Sequence, residues 1–217
     1  MINHCPSKVD LDLPRVYPIT DTRLSGLSHA EQVLHLIRGG AILVQLRAKE
    51  ATARDFYQQA AAALEVAHRH KARLIINDRV DIALALKADG VHLGQSDLSA
   101  EAARRLLGEN AIIGFSTHDI PQAAQAATLP VDYIAFGPIF ETSTKENPDP
   151  VAGLIALRKV RASIGSLPLV AIGGINQTNA RSVFEAGADS IAMISRLVSD
   201  PARIAENMRE MQILVSP

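Results

Sequence analysis

The sequence predicts an α/β chain folded as a single (β/α)8 (TIM) barrel. Three observations carry the prediction. Eight short apolar runs alternate with eight longer helix-like segments along 217 residues. The runs are almost wholly apolar, as strands covered on both faces are. Parallel strands need a crossover connection, and eight of them close a barrel. An open doubly wound sheet is the runner-up. Against it, no GxGxxG turn follows the first run, GVHLGQ lacks the required spacing, and no GxxxxGK occurs.

The elements follow in order. Strands are expected at Val16–Thr20, Ile42–Leu46, Arg73–Ile76, Gly90–Leu93, Ala111–Phe115, Tyr133–Phe136, Leu169–Ile172 and Ser190–Ile194. Helices are expected at Ser28–Ile37, Arg54–His70, Val80–Leu86, Ala100–Leu107, Ile120–Ala127, Val151–Ile164, Thr178–Ala186 and Pro201–Met211. Ser28 and Ser99 stand where N-caps belong, and Asp200 precedes a proline at a first-turn position. Gly39-Gly40 and Gly187 end their helices. The alanine-rich stripe of the second helix fits core or subunit packing. Residues 1–14 read as an N-terminal extension and 15–217 as the barrel.

Composition narrows the function classes. A net charge of -1 gives no footprint for nucleic acid. The lone Cys5 cannot form an internal disulfide, which suits a reducing compartment. The first residues lack the apolar core of a signal peptide, and no run reaches the roughly 18 apolar residues of a membrane span. A cytoplasmic protein with small-molecule ligands and no membrane partner is the expectation, and a homo-oligomer is compatible with it. No HExxH, paired-Cys or GxSxG pattern is present, and no nucleophile–base pair is evident.

Polar residues collect where a barrel carries its chemistry, at the C-terminal ends of the strands. Gln45, Arg47 and Lys49 alternate in ILVQLRAK, so an extended chain puts them on one side. Asn77 and Asp78 end the third strand, His92 and then Asp97 follow the fourth, and Ser116 ends the fifth. The sixth opens into FGPIFETSTKENPDP, with Thr142, Ser143, Thr144 and Lys145 in succession. IGGI, with Gly174, ends the seventh, and Ile194 and Ser195 end the eighth. Arg47, Lys49 and Lys145 suit a phosphorylated ligand. Asp78 and Asp97 are hard oxygen donors, and two carboxylates plus ligand phosphates commonly hold Mg²⁺. The glycines of IGGI let backbone N–H groups approach an anion.

Each residue also has a plainer role open to it. Asp78 could cap the helix near Val80, Asp97 could brace a turn, and Arg47 and Lys49 could be solvated charges. His92 could be a satisfied core histidine, Ser116 a cap, and GGI only a tight turn. Their common placement at successive strand ends is the stronger signal.

With these residues assembled, the chain resembles the thiamine phosphate synthases from about Arg15 to Met211. The motifs are VYPITD, VQLRAK, LIINDRVDIAL, ADGVHLGQSDL, IGFSTH, DYIAFGPIFETSTK, VAIGGI and IAMIS. NDR, HLGQSD and TSTK together set it apart from the sister thiazole tautomerases. The resemblance implies a transferase of thiamine biosynthesis. It joins hydroxymethylpyrimidine pyrophosphate to thiazole phosphate, with a dissociative, cation-like pyrimidine. It further implies Gln45, Arg47, Lys49, Asn77 and Lys145 around the pyrophosphate or pyrimidine, and Asp78 and Asp97 on Mg²⁺. His92, Ser116 and Thr142 to Thr144 would surround the reacting centre, with Arg47, Lys49, Ser116 and Lys145 acting in catalysis. Gly174, Ile194 and Ser195 would take the thiazole phosphate. Family members often carry Glu where this chain has Ala48, a position whose alternation turns it away from the site. A tautomerase-like isomerase and a non-catalytic phosphate-ligand sensor are the alternatives.

Overall fold

A computed structural model describes residues 11, 13–142, 144 and 149–216. Its strands β1 (Val16–Thr20), β2 (Leu43–Leu46), β3 (Arg73–Asn77), β4 (Gly90–Leu93), β5 (Ile112–Thr117), β6 (Tyr133–Phe136), β7 (Leu169–Ile172) and β8 (Ser190–Met193) pair in parallel, each with the next. β8 pairs back onto β1, with Val16 opposite Ile191, so the barrel closes. The helices are α1 (Thr22–Ser25), α2 (His29–Arg38), α3 (Ala53–Arg69), α4 (Val80–Leu86), α5 (Ala100–Leu107), α6 (Ile120–Ala126), α7 (Gly153–Ile164), α8 (Ala180–Glu185), α9 (Ser195–Val198) and α10 (Ile204–Val215).

Period-two alternation splits the strand residues into two apolar layers. Tyr17, Leu43, Ile75, Ile112, Tyr133 and Val170 turn inward and fill the barrel. Their neighbours Val44, Leu74, Val91, Ile113, Ile134 and Ala171 turn outward and meet the helices. The stripe on α3, Phe56, Ala60, Ala63, Leu64 and Ala67, is buried in that outer layer. It is core packing, and its alanines let the helix approach the strands closely. Leu11 and Leu13 pack against the interior layer.

The rim at the N-terminal ends of the strands is held by a device used three times. Asp89, Asp132 and Asp189 directly precede β4, β6 and β8. Each carboxylate accepts the N–H of a residue at the start of the preceding strand: Leu74 at 2.8 Å, Ile113 at 2.7 Å and Leu169 at 2.8 Å. The same oxygen meets a basic side chain from a packing helix, His68, Arg104 or Arg161. Strand starts, helix ends and charge are thus tied together on the face away from the strand ends that carry polar residues.

Five boundaries differ from expectation by two residues or more, among them the end of α10, at Val215 and not Met211. β5 continues through Ser116 and Thr117, so Ser116 lies within the strand. α7 begins at Gly153 and α8 at Ala180, each two residues later than expected. α10 begins at Ile204, not Pro201, because Asp200 accepts the N–H of Ala202, two residues on, and closes a turn instead of capping a helix. The four-residue helices α1 and α9 are too short to show a periodicity.

Candidate active site

The inward alternation that fills the barrel changes character toward the C-terminal ends. Two positions after Leu43 comes Gln45, after Ile75 comes Asn77, after Gly90 comes His92, and two steps beyond Ile112 comes Ser116. All four line a pocket of about 570 Å³. Arg47 and Lys49 continue the alternation into the loop after β2 and line it too, while Ala48 packs on the outer layer. Asp78, Asp97, Thr142 and Thr144 also face this pocket, as do Gly174, Ile194 and Ser195. The strand ends therefore converge on one cavity. Ser143 and Lys145 lie outside the described residues.

The charged side sits beyond β2, β3 and β4. Lys49 Nζ donates to Asp78 Oδ2 at 3.1 Å. Asp78 adopts a left-handed backbone, φ 63°, and its N–H donates to the carbonyl of His92 at 2.8 Å. Asp tolerates that conformation better than most residues, and its occurrence here turns the carboxylate to the pocket. It is no helix cap, for α4 has no side-chain cap bond. Burial pushes the Asp78 carboxyl above its ordinary value; the Lys49 ammonium opposes this, and the neighbouring Asp97 carboxylate adds to it. Asp97 Oδ2 also accepts the N–H of Gly94 at 2.6 Å, so it does brace its turn. Two carboxylates this close, one desolvated, suit a hard divalent cation, which relieves both their repulsion and the burial penalty. No cluster of three or more His, Cys, Asp or Glu exists among the described residues, so water and ligand oxygens would complete the shell.

Arg47 is held from behind. Its Nη1 donates to Asp21 Oδ2 at 3.3 Å, and the Asp21 side chain is only 5% exposed. The other Asp21 oxygen accepts the N–H of Arg23 and caps α1. A guanidinium fixed at one edge keeps its remaining donors directed for an anion.

A buried polar chain underlies the pocket. Ser116 Oγ lies 2.8 Å from His92 Nε2, and His92 Nδ1 lies 2.9 Å from the Tyr133 hydroxyl. That hydroxyl is 3.0 Å from the Tyr17 hydroxyl, which accepts from Gln45 Nε2 at 3.2 Å. The Ser–His contact is a nucleophile–base arrangement that the sequence did not make evident. It is a poor one: desolvation lowers His92 to about 4, leaving a weak base at neutral pH. His92 is thus both a satisfied interior histidine and a pocket residue. Asp119, not Ser116 or Thr117, caps α6.

The far wall is built by β6, β7 and β8. Gly173 and Gly174 have φ of 101° and 65°, and a Cβ on Gly174 would lie 2.4 Å from the carbonyl of Glu141. Only glycine permits both the turn and this approach of the β6 and β7 loops. Thr144 Oγ1 donates to Ser195 Oγ at 3.3 Å, linking Thr144 to the start of α9 just beyond β8. His118 and Asp149 also line the pocket and contact one another at 3.5 Å. Asp21, Tyr17, Tyr133 and His118 were not singled out by the sequence. The motifs VYPITD, DYIAF and IGFSTH contain them, but nothing in local spacing marks them as site residues.

A sequence model of the family described as thiamine monophosphate synthase matches residues 16–197. The thiamine-phosphate synthase of Clostridium novyi (strain NT) is 46% identical over 187 residues, covering 86% of this chain and 91% of that protein. The thiamine-phosphate synthase of Chlorobium phaeovibrioides is 47% identical over 202 residues, covering 92% of this chain and 95% of that one. The solved thiamine phosphate pyrophosphorylase from Pyrococcus furiosus superposes with a TM-score of 0.80 at 36% identity, over 93% of this chain and 97% of that chain.

Proposed function

The chain belongs to the thiamine monophosphate synthase family, and from that premise we propose that its pocket joins a hydroxymethylpyrimidine pyrophosphate to a thiazole phosphate. The products are thiamine phosphate and pyrophosphate, with CO₂ released as well when the thiazole carries its carboxylate. The chain is accordingly an enzyme, a transferase acting on small molecules. The observation that most supports the assignment is the convergence of Gln45, Arg47 and Lys49 with Asp78 and Asp97 on one pocket.

Breaking the carbon–oxygen bond leaves negative charge on the departing pyrophosphate. Arg47, braced by Asp21, and Lys49 face that charge, and Lys145 is assigned the same task from the sequence. Groups already aimed at developing charge stabilise it more than they stabilise the ground state. Asp78 and Asp97 would hold Mg²⁺. That ion, when bound, neutralises phosphate charge as a Lewis acid. The amino-substituted pyrimidine spreads the positive charge left behind, and the thiazole nitrogen attacks it without a protein nucleophile. Gly174, Ile194 and Ser195 form the proposed cradle for the thiazole phosphate. Thr142 and Thr144 help close the loop against water, which would otherwise trap the cation as an alcohol.

The isomerase alternative needs a base beside the thiazole but no divalent ion, and the paired carboxylates of Asp78 and Asp97 on the pocket favour the synthase. We assign the reaction to the cytoplasm; no helix among the described residues is long and apolar enough to cross a membrane. The test mixes both phosphorylated heterocycles with the protein, with and without Mg²⁺. Thiamine phosphate and inorganic pyrophosphate should form together and depend on the ion. A protein that forms neither with Mg²⁺ present is not this synthase.

A further inference from the structure

The polar chain beneath Ser116 has a direction. Its members come from five strands: Ser116 on β5, His92 on β4, Tyr133 on β6, Tyr17 on β1 and Gln45 on β2. Tyr133 is 0% exposed, Tyr17 1%, Gln45 2% and His92 6%. At such burial each proton must find an acceptor within the protein. The Gln45 amide nitrogen can only donate, so the Tyr17 oxygen accepts. The Tyr17 proton then goes to the Tyr133 oxygen, and the Tyr133 proton to His92 Nδ1. A neutral imidazole that accepts at Nδ1 carries its hydrogen on Nε2. That hydrogen is given to Ser116 Oγ. The opposite order would leave the Tyr17 hydrogen without an acceptor among the described residues.

We infer that Tyr17 and Tyr133 are positioning residues: they fix His92 as its Nε2–H tautomer and so make Ser116 a one-way hydrogen-bond donor toward the pocket. The matching ligand atom is an acceptor that carries no hydrogen, such as an unprotonated ring nitrogen of a heteroaromatic substrate. That identity rests on the proposed synthase reaction; the polarity of the chain does not. The same polarity removes Ser116 as a nucleophile, since Nε2 already carries a hydrogen and cannot take another from the hydroxyl. The backbone is cut to admit the contact. A Cβ on Gly114 would lie 2.1 Å from Tyr133 Cζ and 2.5 Å from His92 Nδ1. The two rings stack with centroids 5.5 Å apart, which restrains the imidazole plane, while the hydrogen-bond chain sets its tautomer.

Two measurements test this. The ¹⁵N signals of His92 in the wild-type protein at neutral pH should report hydrogen on Nε2 and none on Nδ1. Hydrogen on Nδ1 overturns the inference, whatever the protein catalyses. Tyr133→Phe should then lower kcat/KM for the pyrimidine substrate about tenfold, the scale of one lost hydrogen bond. In a Ser116→Ala background the same change should have no further effect, because its consequence passes through that hydroxyl. An equal loss in both backgrounds overturns the inference, since Tyr133 would then act by another route. Should Tyr133→Phe fail to fold, Tyr17→Phe runs the same cycle one link further away. A wild-type protein that makes no thiamine phosphate defeats the proposed reaction but leaves the tautomer result standing.

Discussion

Asp21 connects the barrel to the cationic side of the pocket, and its charge can be removed without removing its shape. Its Oδ1 accepts the N–H groups of Arg23 at 3.0 Å and Leu24 at 3.4 Å, capping α1. Its Oδ2 accepts from Arg47 at 3.3 Å, in a pair whose side chains are 5% and 14% exposed. Asp21→Asn keeps the cap, because Asn caps about as well as Asp. It loses a hydrogen bond between charged groups, worth about 1.5–3 kcal/mol. The contact is long and Arg47 opens to the pocket, so the lower figure, about 1.5 kcal/mol, applies. A guanidinium no longer held in advance of binding should cost that amount in the transition state, about tenfold in kcat/KM. Steady-state kinetics with the pyrimidine pyrophosphate varied will read this, alongside thermal melting. For a chain of this size about 1.5 kcal/mol moves Tm by only some 3–6 °C. Asp21→Ala removes the cap as well, adding about 1 kcal/mol of destabilisation with little further loss of activity. An Asn variant with wild-type kcat/KM would refute the bracing role. So would an Ala variant whose activity falls far below that of Asn, since the cap would then be the part that matters.

Arg104→Ala tests the opposite rim: it leaves the 4% exposed Asp132 carboxylate unpaired, should destabilise by about 3 kcal/mol, and should leave kcat/KM within about twofold in melting and kinetic assays. Burial lowers His29 and His92 to about 4, so between there and the ordinary imidazole value of about 6.5 the unfolded chain binds more protons. Their contribution is whole above about pH 6.5 and is lost as pH falls toward 4, by about 3 kcal/mol for each group; urea melts between pH 7 and 4 should show the decline with up to about two protons taken up on unfolding. Lys145→Ala should lower kcat roughly a hundredfold while Tm barely changes, and equal losses in turnover and melting would remove Lys145 from the leaving-group site.

The strands were legible because a barrel strand is buried on both sides and advertises itself as a short apolar run. Seven of the eight strands between Val16 and Met193 fall within a residue of expectation at each end, and the exception, β5, runs on because Ser116 and Thr117 are polar yet still paired with Ala135 and Phe136. The charges were legible for a different reason. Arg47, Lys49, Asp78 and Asp97 are conspicuous just beyond apolar runs, where a solvent-facing loop has no need to repeat the pattern at successive strands. What could not be read was the pairing of groups across the barrel. Tyr17 and Tyr133 sit 116 residues apart and look like ordinary apolar strand residues until the barrel closes and brings their hydroxyls to 3.0 Å. Nothing in the sequence marks Asp21, because its bond to Arg47 depends on β1 lying beside β2 with Ile19 opposite Gln45.

Register also explains why core and site share one interior. Ile75 lies opposite Gly90, and Gly90 opposite Ile112, so that level of the barrel is apolar and packed. One inward step higher, Asn77 lies opposite His92, and His92 opposite Gly114, and polarity begins. A level made wholly of polar groups would carry unmet hydrogen bonds, whereas a level made wholly of hydrocarbon would give a ligand nothing to orient it. Tyr17 and Tyr133 span the boundary: their rings belong to the apolar filling and their hydroxyls to the chain that ends at Ser116. The layer that stabilises the barrel is therefore the same layer that orients the pocket floor. A substitution there that preserves volume but removes an oxygen, such as tyrosine to phenylalanine, separates the two contributions, because packing survives it and proton order does not.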